Sequence, residues 1–200
     1  MSVKRQASGR VRIIAGQWKR RHLVFPARPA LRPTPDRVRE TLFNWLGPQV
    51  QGARCLDLFA GSGALGFEAA SRGASHVVMV ERDEALIHYL SAQALALDAN
   101  NVAVMGEDVL RWLQRKRPVA LAPFDLVFID PPFRSELWTL LCGYLEQGSW
   151  LQDGALVYLE RPWSRAQPVL PANWGLTRSG RAGQVGYYLC RRCPGPRVSD

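Results

Sequence analysis

The chain has 200 residues, 47% of them hydrophobic and 22% charged, which fits one globular domain and excludes a disordered chain. No apolar run approaches the ~20 residues of a membrane span, so no membrane partner is expected. No apolar signal-peptide core follows the first residues, so we expect a cytoplasmic protein.

The net charge of +9 is concentrated at one end of the chain. Residues 1–40 hold 11 lysines and arginines against 2 acidic residues, whereas residues 41–200 hold 15 of each. A single charge cluster is often only a solvated surface. An asymmetry this complete favours a polyanionic partner, most simply a nucleic acid.

The first 33 residues are predicted to form a basic arm that contacts RNA and is partly disordered, with residues 1–10 as the disordered part. Two short strands are expected within residues 11–25, around Ala15-Gly16, and residues 26–33 are a linker. The basic candidates for RNA contact in the arm are Arg12, Lys19, Arg20, Arg21 and Arg32.

Trp18 stands next to the basic run of the arm. An aromatic ring interleaved with basic side chains suits base stacking beside phosphate contacts. The alternative is that Trp18 packs the hairpin onto the rest of the domain, and the sequence leaves both open.

A helix is predicted to start with Thr34 as its N-cap and Pro35 at its first position, and to stop at Gly47-Pro48. Its core-facing residues recur at helical spacing: Val38, Leu42, Trp45 and Leu46. Arg37 and Arg39 lie off this stripe, where they are either RNA contacts or solvated side chains.

From residue 54 onward strands and helices alternate. The expected strands lie near 54–59, 76–80, 102–105, 124–129 and 154–160. The expected helices lie near 63–72, 83–98, 107–116 and 135–147. This pattern predicts an α/β fold with a doubly wound, mostly parallel sheet, to which segments 174–179 and 184–191 add an antiparallel hairpin.

A glycine-rich turn follows the first strand of this series, within residues 55–66. Its glycines permit positive φ and close approach of a ligand, and the next helix presents free N–H groups to a carboxylate. The bare spacing also fits a dinucleotide site or a simple tight turn. The candidate ligand-binding residues here are Asp57, Phe59, Gly61 and Gly63.

Two acids end the next two strands. Glu81 suits the hydroxyl groups of a ribose, although it is equally typical of a helix N-terminus. Asp108 is expected either to accept a hydrogen bond from an adenine amino group or to cap the following helix.

The run Asp130-Pro131-Pro132-Phe133 follows the apolar strand 124–129. In open α/β sheets, ligands bind outside the carboxyl ends of the strands. The carboxylate of Asp130 and the carbonyl of Pro131 can accept the N–H bonds of a planar amine, and Phe133 can stack on its ring. The combination with the glycine turn favours methylation of an amine over hydride transfer by a dehydrogenase.

The four cysteines do not indicate a metal centre. Cys190 and Cys193 form a C-x-x-C, but no second pair or nearby histidine completes a tetrahedral site. We expect reduced thiols and no metal.

The sequence resembles the bacterial small-subunit (16S) rRNA guanine-N2 methyltransferases of the RsmD type, from about Arg12 to Arg191. The specific part of the resemblance is the block 31–46, and the glycine turn and Asp-Pro-Pro-Phe recur across many amino-methyltransferases. The family often has glycine where this chain has Ala15, and the tail from residue 193 to residue 200 matches nothing in the family.

The resemblance implies a Rossmann-like methyltransferase domain over residues 34–192 that binds S-adenosylmethionine at Asp57, Phe59, Gly61, Gly63, Glu81 and Asp108. It implies direct transfer of the methyl group to a guanine N2 amine of 16S rRNA in the small ribosomal subunit, without a covalent enzyme intermediate. Nothing in the sequence fixes the oligomeric state, and a monomer is the working expectation. A DNA adenine or cytosine amino-methyltransferase and a non-catalytic rRNA-binding assembly factor remain as alternatives.

Overall fold

A computed structural model of the chain describes residues 8–28, 31–132, 137–164 and 166–194. The strands in these ranges are β1 (Ser8–Arg12), β2 (His22–Pro26), β3 (Arg54–Leu58), β4 (His76–Glu81), β5 (Val102–Gly106), β6 (Phe124–Ile129), β7 (Leu151–Pro162), β8 (Trp174–Ala182) and β9 (Val185–Arg192). The α-helices are α1 (Asp36–Leu46), α2 (Ala64–Ser71), α3 (Glu84–Ala96), α4 (Val109–Gln114) and α5 (Leu137–Gln147), and a short 3-10 helix (Gly47–Val50) follows α1.

Seven strands form one sheet in the order β5-β4-β3-β6-β7-β9-β8. The pairs from β5 to β7 are parallel, and β9 runs antiparallel to both of its neighbours. The strand order reverses between β3 and β6, which makes this the topological switch point of a doubly wound sheet. The predicted fold class, including the C-terminal hairpin, is confirmed.

Helices cover both faces of the sheet, and the central strands carry apolar side chains on both faces. In β3, Cys55 packs in the cluster that includes side chains of α1, α2 and α3. Leu56 and Leu58 pack in the second cluster, with side chains of α4 and α5. The carboxyl ends of the parallel strands therefore remain as the edge where polar side chains can meet.

The N-terminal arm is anchored to α2, and the bounds of its first strand therefore differ from the prediction. β1 starts at Ser8, within the segment expected to be disordered, and ends at Arg12, before the predicted end. The N–H groups of Ile14 and Ala15 bond to the carboxylate of Glu68 at 2.7 and 3.0 Å and not to β2. The N–H of Ile13 still bonds to the Arg21 carbonyl at 2.9 Å, and the residues after Ile13 follow the surface of α2. The domain boundary near residue 34 stays a prediction.

The predicted N-cap of α1 is wrong. Pro35 is the N-cap residue, with no side-chain cap, and the Thr34 hydroxyl instead contacts the carboxyls of Glu160 and Asp130. The core stripe and the stop at Gly47 are as predicted, except that Trp45 is only partly buried.

Three further elements differ clearly from the prediction: the helix expected over 107–116, β7, and β8, which ends at Ala182 instead of near residue 179. The helix expected over 107–116 is shorter in the structure, where α4 covers Val109–Gln114. It starts at Val109 because Asp108 caps it by accepting the N–H groups of Leu110 and Arg111. β7 is longer than expected, since its last residues pair with β9 beyond the end of β6. None of the helices in the described ranges is long and apolar enough to cross a bilayer.

Candidate active site

A cavity of about 370 Å³ opens at the carboxyl ends of the parallel strands, beside the switch point between β3 and β6. The linker before α1 forms one wall through Leu31, Arg32 and Thr34. The cavity brings together seven of the residues predicted from the sequence: Asp57, Phe59, Gly61, Glu81, Asp108, Asp130 and Pro131.

The turn after β3 is built from left-handed backbone conformations. Phe59, Gly61 and Gly63 have φ values of 63°, 54° and 73°. A Cβ at Gly61 would lie 2.7 Å from the Leu31 side chain, so glycine lets the linker close over the turn. A large side chain at positive φ, as at Phe59, is uncommon and marks local strain.

Gly63 is not a wall residue of the cavity. A Cβ there would come within 2.8 Å of the Phe67 and Leu90 side chains, so this glycine allows α2 and α3 to pack. Gly63 was predicted to bind the ligand, but the structure shows it only as a residue that shapes the turn. The N-cap residue of α2, Gly63, provides no side-chain cap, and the first residues of the helix line the cavity, where the helix dipole favours an anionic group.

Asp57 lies under the turn and is 2% exposed. Its Oδ2 accepts the N–H of Gly66 at 2.9 Å. Burial raises the pKa of Asp57 to about 7, and the charge of Glu81 adds to this effect. A cationic ligand group beside this carboxyl would favour its ionised form.

Glu81 and Asp108 hold backbone groups while they line the cavity. Glu81 accepts the N–H of Gly61 at 2.9 Å and also the N–H groups of Arg82 and Asp83. Asp108 caps α4 through Oδ1, and its Oδ2 lies 3.4 Å from the Arg82 guanidinium. Asp108 is therefore the helix cap that was one of the two alternatives, and it also lines the cavity, while its hydrogen bond to an adenine amino group stays a prediction.

Asp130 and Pro131 directly follow β6 and line the cavity. Burial and the neighbouring charges of Glu160 and Asp57 raise the pKa of Asp130 well above its usual value. Phe133 lies outside the described residues.

The side chains that surround Asp130 were not predicted from the sequence. Thr34, Tyr158 and Glu160 are all buried, and Glu160 Oε1 accepts the hydroxyls of Thr34 and Tyr158 at 2.8 Å each. An acid at the end of an apolar strand was the available signal, because β7 lies beside β6 and brings Glu160 next to Asp130.

The structure removes two residues from the predicted RNA-binding set. Arg39 is 1% exposed, and its guanidinium binds Glu68, Asp36 and backbone carbonyls. Trp18 is 7% exposed and packs in the core, which is the alternative weighed from the sequence.

The other predicted RNA contacts are at the surface. The exposed side chains are Arg12, Lys19, Arg20, Arg21, Arg32 and Arg37. Arg12 also pairs with Asp36 at 3.2 Å, and Arg32 is part of the cavity wall. Of these six residues, Arg32 is the one that lines the cavity.

The two cysteines of the C-x-x-C pair lie in different environments. Cys190 is buried and Cys193 is exposed. Within the described ranges, no group of three or more His, Cys, Asp or Glu side chains is arranged to hold a metal ion.

The seven-stranded order, the single antiparallel strand and the acid-lined cavity at the switch point define a Rossmann-like methyltransferase fold. Residues 11–191 match the model of the family described as "Conserved hypothetical protein 95", and the chain belongs to this family.

One relative is the Ribosomal RNA small subunit methyltransferase D of Escherichia coli (strain K12), 47% identical over 92% of this chain and 91% of its own length. A solved structure of a putative methyltransferase from Escherichia coli is 45% identical, with a TM-score of 0.84 over 92% of this chain and 99% of its own. An RNA methyltransferase from Salinibacter ruber, solved in complex with S-adenosyl-L-homocysteine, is 18% identical with a TM-score of 0.59 over 84% of this chain and 98% of its own. This last likeness supports the fold alone. The resemblance stated from the sequence is confirmed.

Proposed function

We propose that the protein is an S-adenosylmethionine-dependent methyltransferase that modifies the N2 amine of a guanine in the 16S rRNA of the small ribosomal subunit. The observation that carries the proposal is the meeting of Asp130-Pro131 with the glycine turn in one cavity. The name of the Escherichia coli relative supports the rRNA substrate.

The cavity residues fit the cofactor. A cavity of about 370 Å³ is of the size usual for such ligands, ~300–1,000 Å³. The first residues of α2 line the cavity and suit the carboxylate of S-adenosylmethionine, and Asp57 suits its amino group. Glu81 and Asp108 retain oxygen lone pairs for the ribose and the adenine, since a carboxylate accepts more bonds than the ones that these two make. When bound, S-adenosylmethionine supplies an electrophilic methyl group.

The amine of a guanine is a poor nucleophile because its lone pair is delocalised into the ring. Asp130 and the Pro131 carbonyl accept its two N–H bonds, which favours a pyramidal nitrogen and directs the lone pair toward the cofactor side of the cavity. Positioning and electrostatics then carry the rate, with direct in-line attack and no covalent enzyme intermediate. Phe133 would stack on the base, with a contribution of roughly 1–3 kcal/mol.

The exposed basic side chains of the arm and α1 bind the rRNA backbone. Arg32 is both one of these exposed basic residues and a residue of the cavity wall. We expect Lys19, Arg20, Arg21 and Arg37 to contact phosphates, so their loss weakens binding and reduces its salt dependence. In this proposal residues 34–192 form the catalytic domain, and the protein acts as a monomer in the cytoplasm.

The test uses labelled methyl donor with unmethylated small subunits, naked 16S rRNA and DNA as alternative substrates, followed by mapping of the modified base by mass spectrometry. We expect one guanine N2 to be labelled in RNA. Asp130→Ala is expected to lower the rate by about a hundredfold, the equivalent of ~3 kcal/mol. Asp153→Ala is the matched control, because this exposed acid lies near the start of β7, far from the strand ends that line the cavity.

Label in DNA alone would show an amino-methyltransferase of DNA and overturn the proposal. RNA binding without methyl transfer in any substrate would support the non-catalytic assembly factor. An unchanged rate for Asp130→Ala would show that the catalytic role belongs to another residue.

A further inference from the structure

A buried hydrogen-bonded chain connects Asp130 to the interior of the sheet. Thr34 Oγ1 lies 2.8 Å from Glu160 Oε1 and 3.4 Å from Asp130 Oδ2. The hydroxyl of Tyr158 donates to the same Glu160 oxygen at 2.8 Å. Thr34, Tyr158 and Glu160 are 4%, 0% and 5% exposed, so this chain is shielded from solvent except at Asp130.

The number of hydrogens in this chain limits how it can be bonded. A threonine hydroxyl has one hydrogen and two lone pairs. With its hydrogen directed to Glu160, Thr34 presents a lone pair to Asp130. The 3.4 Å contact therefore becomes a hydrogen bond only when Asp130 carries a proton. If the hydroxyl turns to Asp130, Glu160 must carry the proton instead.

The charges around the two carboxyls favour one shared proton. Burial raises the pKa of Asp130 and of Glu160, and each carboxylate charge opposes ionisation of the other group. The other titratable groups that face them are Asp57 on β3, Tyr158 on β7 and Tyr187 on β9. On the side of α1, the Arg39 guanidinium donates to the Thr34 carbonyl at 3.2 Å and fixes the position of this residue.

We propose that Asp130 and Glu160 hold a single proton between them through the Thr34 hydroxyl, and that Glu160 is a positioning residue that keeps this proton so that Asp130 is ionised and accepts the proton lost by the methylated amine. The proposal rests on the proposed function for the identity of the amine. The shared proton itself does not depend on it.

The proton transfer balances when the shared proton is on Glu160. The Thr34 hydroxyl then donates to Asp130, which is a carboxylate. A newly alkylated amine carries one proton too many, so an N–H bond breaks, its electron pair stays on nitrogen, and the proton forms an O–H bond with the Asp130 carboxylate. Both carboxyls are then protonated, and Asp130, which lines the cavity, releases its proton to water after the product leaves, so that the pair again holds one proton.

The first test follows the free protein, without cofactor or RNA. Carbon-13 NMR of the side-chain carboxyls across pH is expected to show Asp130 and Glu160 titrating as a coupled pair. In Glu160→Gln, Asp130 is expected to titrate alone and at lower pH. Thr34→Val is expected to separate the two titrations, and Thr34→Ser, which keeps the hydroxyl, is expected to restore the coupling.

The second test is the pH profile of single-turnover methylation of the rRNA substrate. Glu160→Gln is expected to lower the rate by at least tenfold and to move the pH profile, while the concentration of RNA required for half-maximal rate stays the same. Glu160→Asp is expected to recover part of the rate. Circular dichroism of each variant verifies that it is folded, and Thr34→Val supplies the same comparison if Glu160→Gln does not fold.

The outcomes separate the two proposals. Independent titration of Asp130 in the wild-type protein, together with methylation that is insensitive to Glu160→Gln and Thr34→Val, overturns the shared proton. Coupled titration in a protein that methylates no RNA supports the shared proton and overturns the proposed function instead.

Discussion

Replacing Glu68 by glutamine tests how the N-terminal arm is held on the domain. Glu68 is fully buried, and its carboxylate accepts from the Arg72 guanidinium at 2.6 Å and lies 3.4 Å from that of Arg39. It also accepts the N–H groups of Ile14 and Ala15. The glutamine keeps the shape of the side chain but removes the charge, and its NH₂ group faces one of these donors.

The expected cost follows from the charge that remains. Breaking a buried ion pair by changing one partner typically costs 3–5 kcal/mol. Arg39 keeps the carboxylate of Asp36 at 2.6 Å, so we expect the lower end, about 3 kcal/mol. For a protein that is stable by only ~5–15 kcal/mol, this is a large fraction of the free energy of unfolding. It corresponds to a fall in Tm of about 6–12 °C.

Urea denaturation at neutral pH measures the change, and amide hydrogen exchange at Ile14 and Ala15 shows whether the arm detaches locally. Glu107→Gln is the control, because its pair with Arg115 is at the surface and is expected to contribute less than about 1 kcal/mol. If Glu68→Gln unfolds at the same urea concentration as this control, the carboxylate does not anchor the arm and the reasoning fails.

Three other predictions rest on single groups. Because the folded state raises the pKa of Asp57 to about 7, the folded protein binds a proton more tightly than the unfolded chain. The free energy of unfolding should therefore decrease as the pH rises from about 4 to about 7. Asp57→Asn should reduce this slope in denaturation series across pH, and an unchanged slope would contradict the assignment. Hydrogen bonds from Arg192, Trp174 and Asn173 lower the pKa of Glu146 to about 2, so its contribution should be lost as pH falls from about 4.5 to 2, and Glu146→Gln should cost about 1.5–3 kcal/mol at pH 7 by urea denaturation. Cys193 is exposed, whereas burial raises the pKa of the other thiols, so a thiol reagent at pH 8 should label Cys193 first and the others only on unfolding.

Much of the fold could be predicted because local patterns and tertiary packing agree. The strand at 124–129 was predicted with the bounds that the structure gives it, since an apolar run between polar turns admits one reading. Bounds were wrong where a distant side chain decides them. The pairing of β1 does not continue through Ile14, because the N–H groups of Ile14 and Ala15 bond to Glu68, more than fifty residues later.

The site could be predicted in part for the same reason. Acids that follow parallel strands meet at one edge of the sheet, so Asp57, Glu81, Asp108 and Asp130 could be grouped without coordinates. The partners of Asp130 could not, because Thr34 has the sequence signature of a helix cap and its contact with Glu160 joins residues 126 positions apart.

The sequence by itself determined the fold class, the acids at the strand ends, the glycine turn and the basic N-terminal region, since each depends on residue types at short spacing. Only the tertiary structure decided which of the basic and aromatic residues are buried. Arg39 and Trp18 have the composition of an RNA-binding surface, yet both lie in the interior. The physical reason is that burial and hydrogen-bond partners depend on chain segments brought together by folding, and no local spacing encodes which carboxylate a given guanidinium or hydroxyl will meet.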